Sequence, residues 1–391
     1  MRRLSLVAVT AALVALSGCS LGEDDNNSGP PQLNAPSEQE EPAQKLDFSA
    51  GATRNTVRVG GADSAETAAG VAAALFPSTG DADRPSAVAL VDKDDWSSAI
   101  AASVLVGAPI GAPILLADGD ELPDATKDVL EKLEPKGSEL AKNAQVIRVG
   151  ADVARPSGLR TAVIEGGDQY ELAASIDRFV SAARGKPSGD VVVYSGDRAA
   201  FAMPAAAWGA RSGDAVLPVA RNSVPAPIKA ALKEHENANI FVLGPESVIS
   251  RKAFDALGKL GRSVRRIEGA TPVENAIAFA RYQKGDFGWG VVVPGYNFTV
   301  ASTDRPLDAG AGAALGTKGV FAPLLVTDNP ATLPKPLEDY LLSVQPGYEG
   351  DPSDAVYNHV WILGDEKAVS VPQQSRIDEI TELVPVQASG P

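Results

Sequence analysis

The chain has 391 residues, of which 44% are apolar, 22% charged and 5% aromatic, with 35 basic and 50 acidic side chains giving a formal charge of −15. At roughly 150 residues per domain this length allows two or three domains, and the apolar fraction excludes a wholly disordered chain. The acidic balance argues against sequence-independent nucleic-acid binding, which needs a basic face to displace counterions. One cysteine and two histidines, His235 and His359, exclude a disulfide framework and multi-cysteine metal sites, and no metal or cofactor is assigned.

Arg2 and Arg3 precede an apolar run from Leu4 to Leu16. The run is too short to cross a bilayer, which takes about 20 apolar residues, and has the length of a secretory leader's hydrophobic region. It ends in Leu16-Ser17-Gly18-Cys19, which resembles the bacterial lipobox, and the chain's single cysteine stands at the position that is acylated. Residues 1–18 are therefore read as a lipoprotein signal peptide and Cys19 as a membrane anchor on the extracytoplasmic face. Removing the leader takes two arginines and no acid, so the mature charge is −17.

Residues 20–50 carry seven acids against Lys45 alone and are rich in Pro, Asn, Gln and Ser without apolar periodicity. With Cys19 they read as a disordered acidic tether over 19–50, whose r.m.s. reach is roughly 30 Å.

Beyond residue 50 the sequence repeats itself three times. Val59-Gly60-Gly61-Ala62-Asp63-Ser64-Ala65-Glu66 aligns with Ile164-Glu165-Gly166-Gly167-Asp168-Gln169-Tyr170-Glu171 and with Ile267-Glu268-Gly269-Ala270-Thr271-Pro272-Val273-Glu274. A second anchor is Ile114-Leu115-Leu116, Val216-Leu217-Pro218 and Leu324-Leu325-Val326. Each is followed by an apolar-Pro pair, Leu122-Pro123, Val224-Pro225 or Leu333-Pro334, and later by a strand-like run ending at Gly150, Gly244 or Gly364. The period is about 105 residues, which marks tandem modules rather than solenoid turns. The units are placed at 51–158, 159–262 and 263–391.

Within each unit apolar runs alternate with helical patterns. Val88–Val91, Val191–Tyr194 and Val291–Val293 are continuously apolar, as in parallel strands covered on both faces. Leu172, Ile176, Phe179, Val180 and Ala183 recur at helical spacing, as do Leu337, Tyr340, Leu341 and Val344. The alternation predicts an α/β fold, a three-layer sandwich with mainly parallel strands in each module. A further helix is predicted over Ser250–Leu260, for which the shorter return from Gly150 to Ile164 leaves no room.

Asp63 and Glu66, Asp168 and Glu171, and Thr271 and Glu274 each have capping-box spacing, so these carboxylates are read as structural. Gly310–Gly316 superficially matches a dinucleotide fingerprint but falls in the Ala/Gly-rich helix of its repeat, where close helix packing is the better reading. His235 reads as an exposed helix end. The acids Asp94 and Asp95 beside Trp96 are compatible with a sugar cleft and equally with a turn.

These anchors resemble the cell-wall-binding type 2 repeat, found as three tandem copies in surface proteins of Gram-positive bacteria. The resemblance covers about residues 54–385. It implies three Rossmann-like modules around a pseudo-threefold axis and noncovalent, non-catalytic attachment to an anionic secondary wall polymer or peptidoglycan. It implicates Ile114, Leu115 and Leu116, while their place in a strand makes them core by default. The family's Asp-Arg-Tyr-Glu arginine is replaced by Ser64, Gln169 and Pro272. The folded part carries about −11, so an anionic polymer would need local basic points or bridging cations. Arg58, Arg148, Arg160, Arg265 and Arg266 near the repeat junctions are the candidates.

Three readings remain: a lipid-anchored wall binder, which is preferred; a lipoprotein holding a small ligand at strand ends or a module interface; and a carboxylate-dependent glycan hydrolase.

Overall fold

The computed structural model describes residues 51–386, so the leader, Cys19 and the acidic segment lie outside the described residues. The first stretch runs β1 (Thr56–Val59), α1 (Ser64–Leu75), β2 (Val88–Asp92), α2 (Trp96–Ala102), β3 (Ile114–Ala117), α3 (Asp124–Leu133) and β4 (Val146–Val149). The second runs β5 (Thr161–Ile164), α4 (Gln169–Arg184), β6 (Asp190–Ser195), α5 (Ala199–Ala202), α6 (Pro204–Ser212), β7 (Ala215–Val219), α7 (Ala226–Glu234), β8 (Asn239–Leu243) and α8 (Arg251–Leu257). The third runs β9 (Ser263–Ile267), α9 (Pro272–Arg281), β10 (Asn297–Ser302), α10 (Leu307–Ala311), β11 (Leu324–Thr327), α11 (Lys335–Ser343), β12 (Gly347–Tyr348), β13 (His359–Leu363), α12 (Val371–Ile380) and β14 (Val384–Pro385). The strands form three four-stranded parallel sheets, ordered β3-β2-β4-β5, β7-β6-β8-β9 and β11-β10-β13-β1, with β12 and β14 pairing separately.

The sequence repeat and the sheet are offset by one strand. The boundaries drawn at 158/159 and 262/263 cut between β4 and β5 and between β8 and β9, yet both pairs are hydrogen-bonded neighbours. Each repeat donates its first strand to the preceding sheet, and the first repeat's β1 completes the third, with Arg58 opposite Ile362. The helix after each donated strand crosses to the next module: α1 packs on β3 and α3, α4 on β7 and α7, and α9 on β11 and α11. The three modules are thus interlocked in a closed cycle.

The centre of that cycle is small and apolar. Helices α2, α6 and α10 contact one another, each from a different module. A Cβ on Gly310 would lie 2.8 Å from that of Ala99, and one on Gly316 would lie 2.3 Å from the Ala207 carbonyl oxygen. Only glycine permits these approaches, so Gly310–Gly316 acts in helix packing. Polar and aromatic contacts join the modules further out. The Tyr194 hydroxyl donates to the Ser97 carbonyl at 2.8 Å. The Trp208 ring lies 4.8 Å from that of Phe287 and 5.6 Å from that of Trp289. Arg305 donates to the Gly61 carbonyl (3.0 Å) and the Thr67 hydroxyl (2.8 Å), and pairs with buried Asp308 (3.0 Å). Asp308 is pushed up to about 6, chiefly by burial, against the opposing pull of Arg305.

One local expectation changes and one is met. The third central strand is β10, not Val291–Val293. That run lies outside the strand and leaves Val292 and Val293 exposed. A short valine run has β-propensity wherever it occurs, while strand membership is decided by burial against a partner, and Phe298 and Val300 supply that burial. The helix expected over Ser250–Leu260 is α8, capped by the Ser250 hydroxyl accepting from the Ala253 amide.

Candidate functional site

The capping residues sit where the chain passes from one module to the next. Asp63 accepts from the Ala65 and Glu66 amides, and Asp168 from those of Tyr170 and Glu171. Glu66 and Glu171 reach one residue beyond the cap, to the Ala62 and Gly167 amides. Thr271 and Glu274 form the full reciprocal box. One oxygen of each of these carboxylates, and the Thr271 hydroxyl, is turned onto the backbone that starts its helix.

At the first of these junctions a cleft of about 390 Å³ opens. It lies between the start of α1 at Asp63–Ala65, the end of β3 at Leu116 and Asp118, the Glu121–Pro123 turn, and Leu307 from the third module. The C-terminal ends of parallel strands are where such folds place ligands. Lys93 spans the cleft to Asp118 at 2.7 Å, and that hydrogen bond raises the lysine's pKa. Asp63, Asp118 and Glu121 outnumber this single cation, so the cleft disfavours an anion. Ala65, where the other repeats carry Tyr170 and Val273, is among its lining residues. At the second junction the Tyr170 ring packs beside Gly196.

Ile114, Leu115 and Leu116 are fully buried in β3, and only Leu116 borders the cleft. The junction arginines divide. Arg58 is buried and spends all five N–H groups inside the protein: on the Gly364 (2.9 Å), Asp365 (2.8 Å) and Val369 (2.7 Å) carbonyls and twice on Gln374. That leaves it no donor for an outside ligand, which corrects its place among the candidates. Arg266, at the equivalent register position, binds the Gly244 (2.6 Å) and Ile249 (2.9 Å) carbonyls. The first module has exposed Val163 there, and Arg148 from the adjacent strand holds the Val153 (2.7 Å) and Ala151 (2.5 Å) carbonyls instead. Arg160 is exposed but donates to the Asn143 carbonyl, and Arg265 is exposed. These five side chains do not converge on one site.

The Asp94–Trp96 segment is a turn and helix start, with Asp95 accepting from the Ser98 amide and Asp92 from that of Asp94. His235, expected at an exposed helix end, is only 2% exposed. The chain folds back after α7, so its ring points inward, where Nε2 meets Asp177 at 2.8 Å and Nδ1 the Ser188 carbonyl at 3.0 Å. This resembles a Ser-His-Asp set without its geometry. The Ser188 hydroxyl donates to the Asp190 carbonyl and accepts from the Ala215 amide. Because Nδ1 faces a carbonyl, which only accepts, the ring has no free nitrogen to take a proton from that hydroxyl. Among the described residues no group of three or more His, Cys, Asp or Glu side chains could hold a metal ion.

Sequence reasoning missed Arg305, which ties the third module to the first through Gly61 and Thr67. Arg305 was recoverable, since Ser302-Thr303-Asp304-Arg305 parallels Ser195-Gly196-Asp197-Arg198. Phe321 stands in the aligned repeats where the others have Gly111 and Gly213.

The fold matches two solved structures from Clostridium difficile. Cwp8 shares 18% identity at a TM-score of 0.62, over 85% of this chain and 52% of that one. Cwp6 shares 19% identity at 0.66, over 84% and 48%. At this identity the likeness is one of fold, and the chain spans about half the length of each. The sequence matches no family model and no curated protein. The chain is a three-module parallel α/β protein with the fold that Cwp6 and Cwp8 contain.

His235 makes the fold sensitive to pH. Burial pulls its pKa down, but the hydrogen bond and charge of Asp177 and the Ser188 carbonyl outweigh this and leave it above 6.5. A raised pKa stabilises fully below the unfolded value, and the contribution is lost as pH rises through the folded value. Urea midpoints should therefore fall as pH is raised through that range, and His235→Gln should remove this component. An identical pH profile in the variant would contradict the assignment.

Proposed function

We propose that the chain is an extracytoplasmic envelope protein, held to the membrane by a lipid on Cys19, whose interlocked modules bind cell-wall polymer noncovalently and without catalysis. The observation that carries this reading is the three-module fold shared with Cwp6 and Cwp8, which are cell-wall proteins, over more than four-fifths of the chain. The lipobox-like Leu16–Cys19 and the acidic segment after it support a tethered surface location. The polymer is an anionic secondary polymer or peptidoglycan itself. Since the folded part is acidic and the junction cleft is lined by carboxylates, an anionic chain must be met at cationic points elsewhere on the surface.

Residues 20–391, prepared without lipid, are expected to sediment with purified walls and to lose most of that binding once secondary polymers are stripped. Equal binding to intact and stripped walls would exclude the secondary polymer, and no binding to either would exclude the reading.

The junction cleft favours a second reading, a small ligand held between the third and first modules. Its volume is in the range of small-molecule sites, and its carboxylates suit a neutral or amine-bearing compound. Amino sugars should raise the melting temperature of the unaltered protein, and Ala65→Tyr, which imports the residue of the second repeat, should abolish that rise. A rise that survives in Ala65→Tyr would place the ligand elsewhere.

A further inference from the structure

Three residues before the aligned strand positions Ile114, Val216 and Leu324 stand Gly111, Gly213 and Phe321, the alignment following the registers Ala89 to Ile114, Val192 to Val216 and Thr299 to Leu324. All three are left-handed, with φ of 66°, 66° and 52°. Glycine adopts this region freely, while a bulky side chain there is strained and rare. The turns close in the same way. The Gly111 and Gly213 amides reach the carbonyls four residues back at 2.9 Å, and that of Phe321 reaches Thr317 at 3.4 Å. Burial does not compensate, because Phe321 is 48% exposed. A residue that strains the backbone and leaves half its surface in water adds little to folding, so its presence calls for another reason.

Its surroundings supply one. Arg211, from α6 of the second module, holds its guanidinium 5.4 Å from the Phe321 ring centre and 5.0 Å from that of Trp289. In a chain with fifty acids, Arg211 has no hydrogen-bond acceptor or carboxylate partner among the described residues. Partial burial lowers its pKa, opposed by the Tyr296 phenol, and a guanidinium remains charged at neutral pH. Tyr296 is 37% exposed, and the Asn297 side chain beside it donates to the Val320 carbonyl at 2.7 Å, tying this loop to the Phe321 turn. A half-exposed ring, a guanidinium held over two rings without an acceptor among the described residues, and a further exposed phenol therefore lie together where the second and third modules meet.

We propose that Phe321 and Arg211, flanked by Trp289 and Tyr296, form a platform for an acidic saccharide. The ring face of Phe321 receives the polarised C–H face of a pyranose, and Arg211 receives its carboxylate or phosphate. The electron-rich face of an aromatic ring attracts positive C–H edges, and a guanidinium matches planar oxyanions through paired N–H bonds. Arg211 is already held over two rings, so less side-chain freedom is lost on binding. The assignment rests on the wall-binding reading and gives it the cationic contact that the acid-lined cleft lacks.

The test uses the whole chain carrying Cys19→Ala, with oligoglucuronate and glucose 1-phosphate as anionic probes and a neutral gluco-oligosaccharide as control. Phe321→Gly installs the residue that the other two modules use, so it should melt at the same temperature or higher while binding the anionic probe at least about tenfold more weakly. Arg211→Gln should weaken binding similarly and flatten its salt dependence. Preference for oligoglucuronate or for glucose 1-phosphate tells whether the group on Arg211 is a carboxylate or a phosphate. Unaltered affinity in both variants, or no binding of either anionic probe by the parent chain, overturns the platform. Wall sedimentation separates the two ideas. Walls bound without any anionic probe bound would sink the platform alone, and anionic probes bound without walls would sink the wall-binding reading alone.

Discussion

The pairing of β1 with β13 is the contact on which the rest of the structure depends. The two strands are about three hundred residues apart in sequence, and no covalent link joins them beyond the chain itself. Their four-residue register completes the third sheet and closes the cycle of modules. Arg58, beside Gln374 and three carbonyls, locks the pairing from one side, and Arg305, holding Gly61 and Thr67, locks the following turn. Closing so long a loop costs only slightly more entropy than closing a short one, because the cost grows with the logarithm of length. The buried β1 backbone and its five-donor arginine offset that cost. No repeat in isolation has a complete sheet, so the modules stabilise one another in sequence and the last stabilises the first.

This shared framework leaves the junctions free to diverge. At the second position after the helix cap the repeats carry Ala65, Tyr170 and Val273; the first lines the cleft, while the second packs its ring beside Gly196. At the left-handed turn they carry Gly111, Gly213 and Phe321, and the third presents an aromatic face. The capping bonds, strand registers and central glycines meanwhile keep the modules in place. Function is then a property of the differences between repeats, grafted onto what they share.

The order of anchors within each repeat was legible because strands, caps and strand-ending glycines are local and recur with one period. The offset of sheet against repeat was not. A cyclic array of alternating strands and helices has the same period wherever the unit is taken to begin, and only long-range hydrogen bonding sets its phase. The same limit explains the arginines. Arg58, Arg148 and Arg266 look like free surface charge in sequence, but folding turns each onto carbonyls at strand ends. Val291–Val293 misled because valine favours strands without deciding which valines are buried. His235 misled because the charged Lys233-Glu234-His235-Glu236 context hides an inward-facing ring. Phe321 was legible only as a departure from glycine, and its meaning needed the position of Arg211.

Hydrogen exchange in a chain beginning at Ala62, compared with the whole chain, tests the closure most directly. The Thr299 and Thr303 amides keep their own acceptors, the Pro323 and Thr327 carbonyls, when β1 is gone. If β1 is what makes the third module cooperative, both amides should lose protection while Gly244, in the second sheet, keeps its own. Unchanged protection at Thr299 and Thr303 would show that the third module stands without β1, and would contradict the closed cycle as the source of its stability.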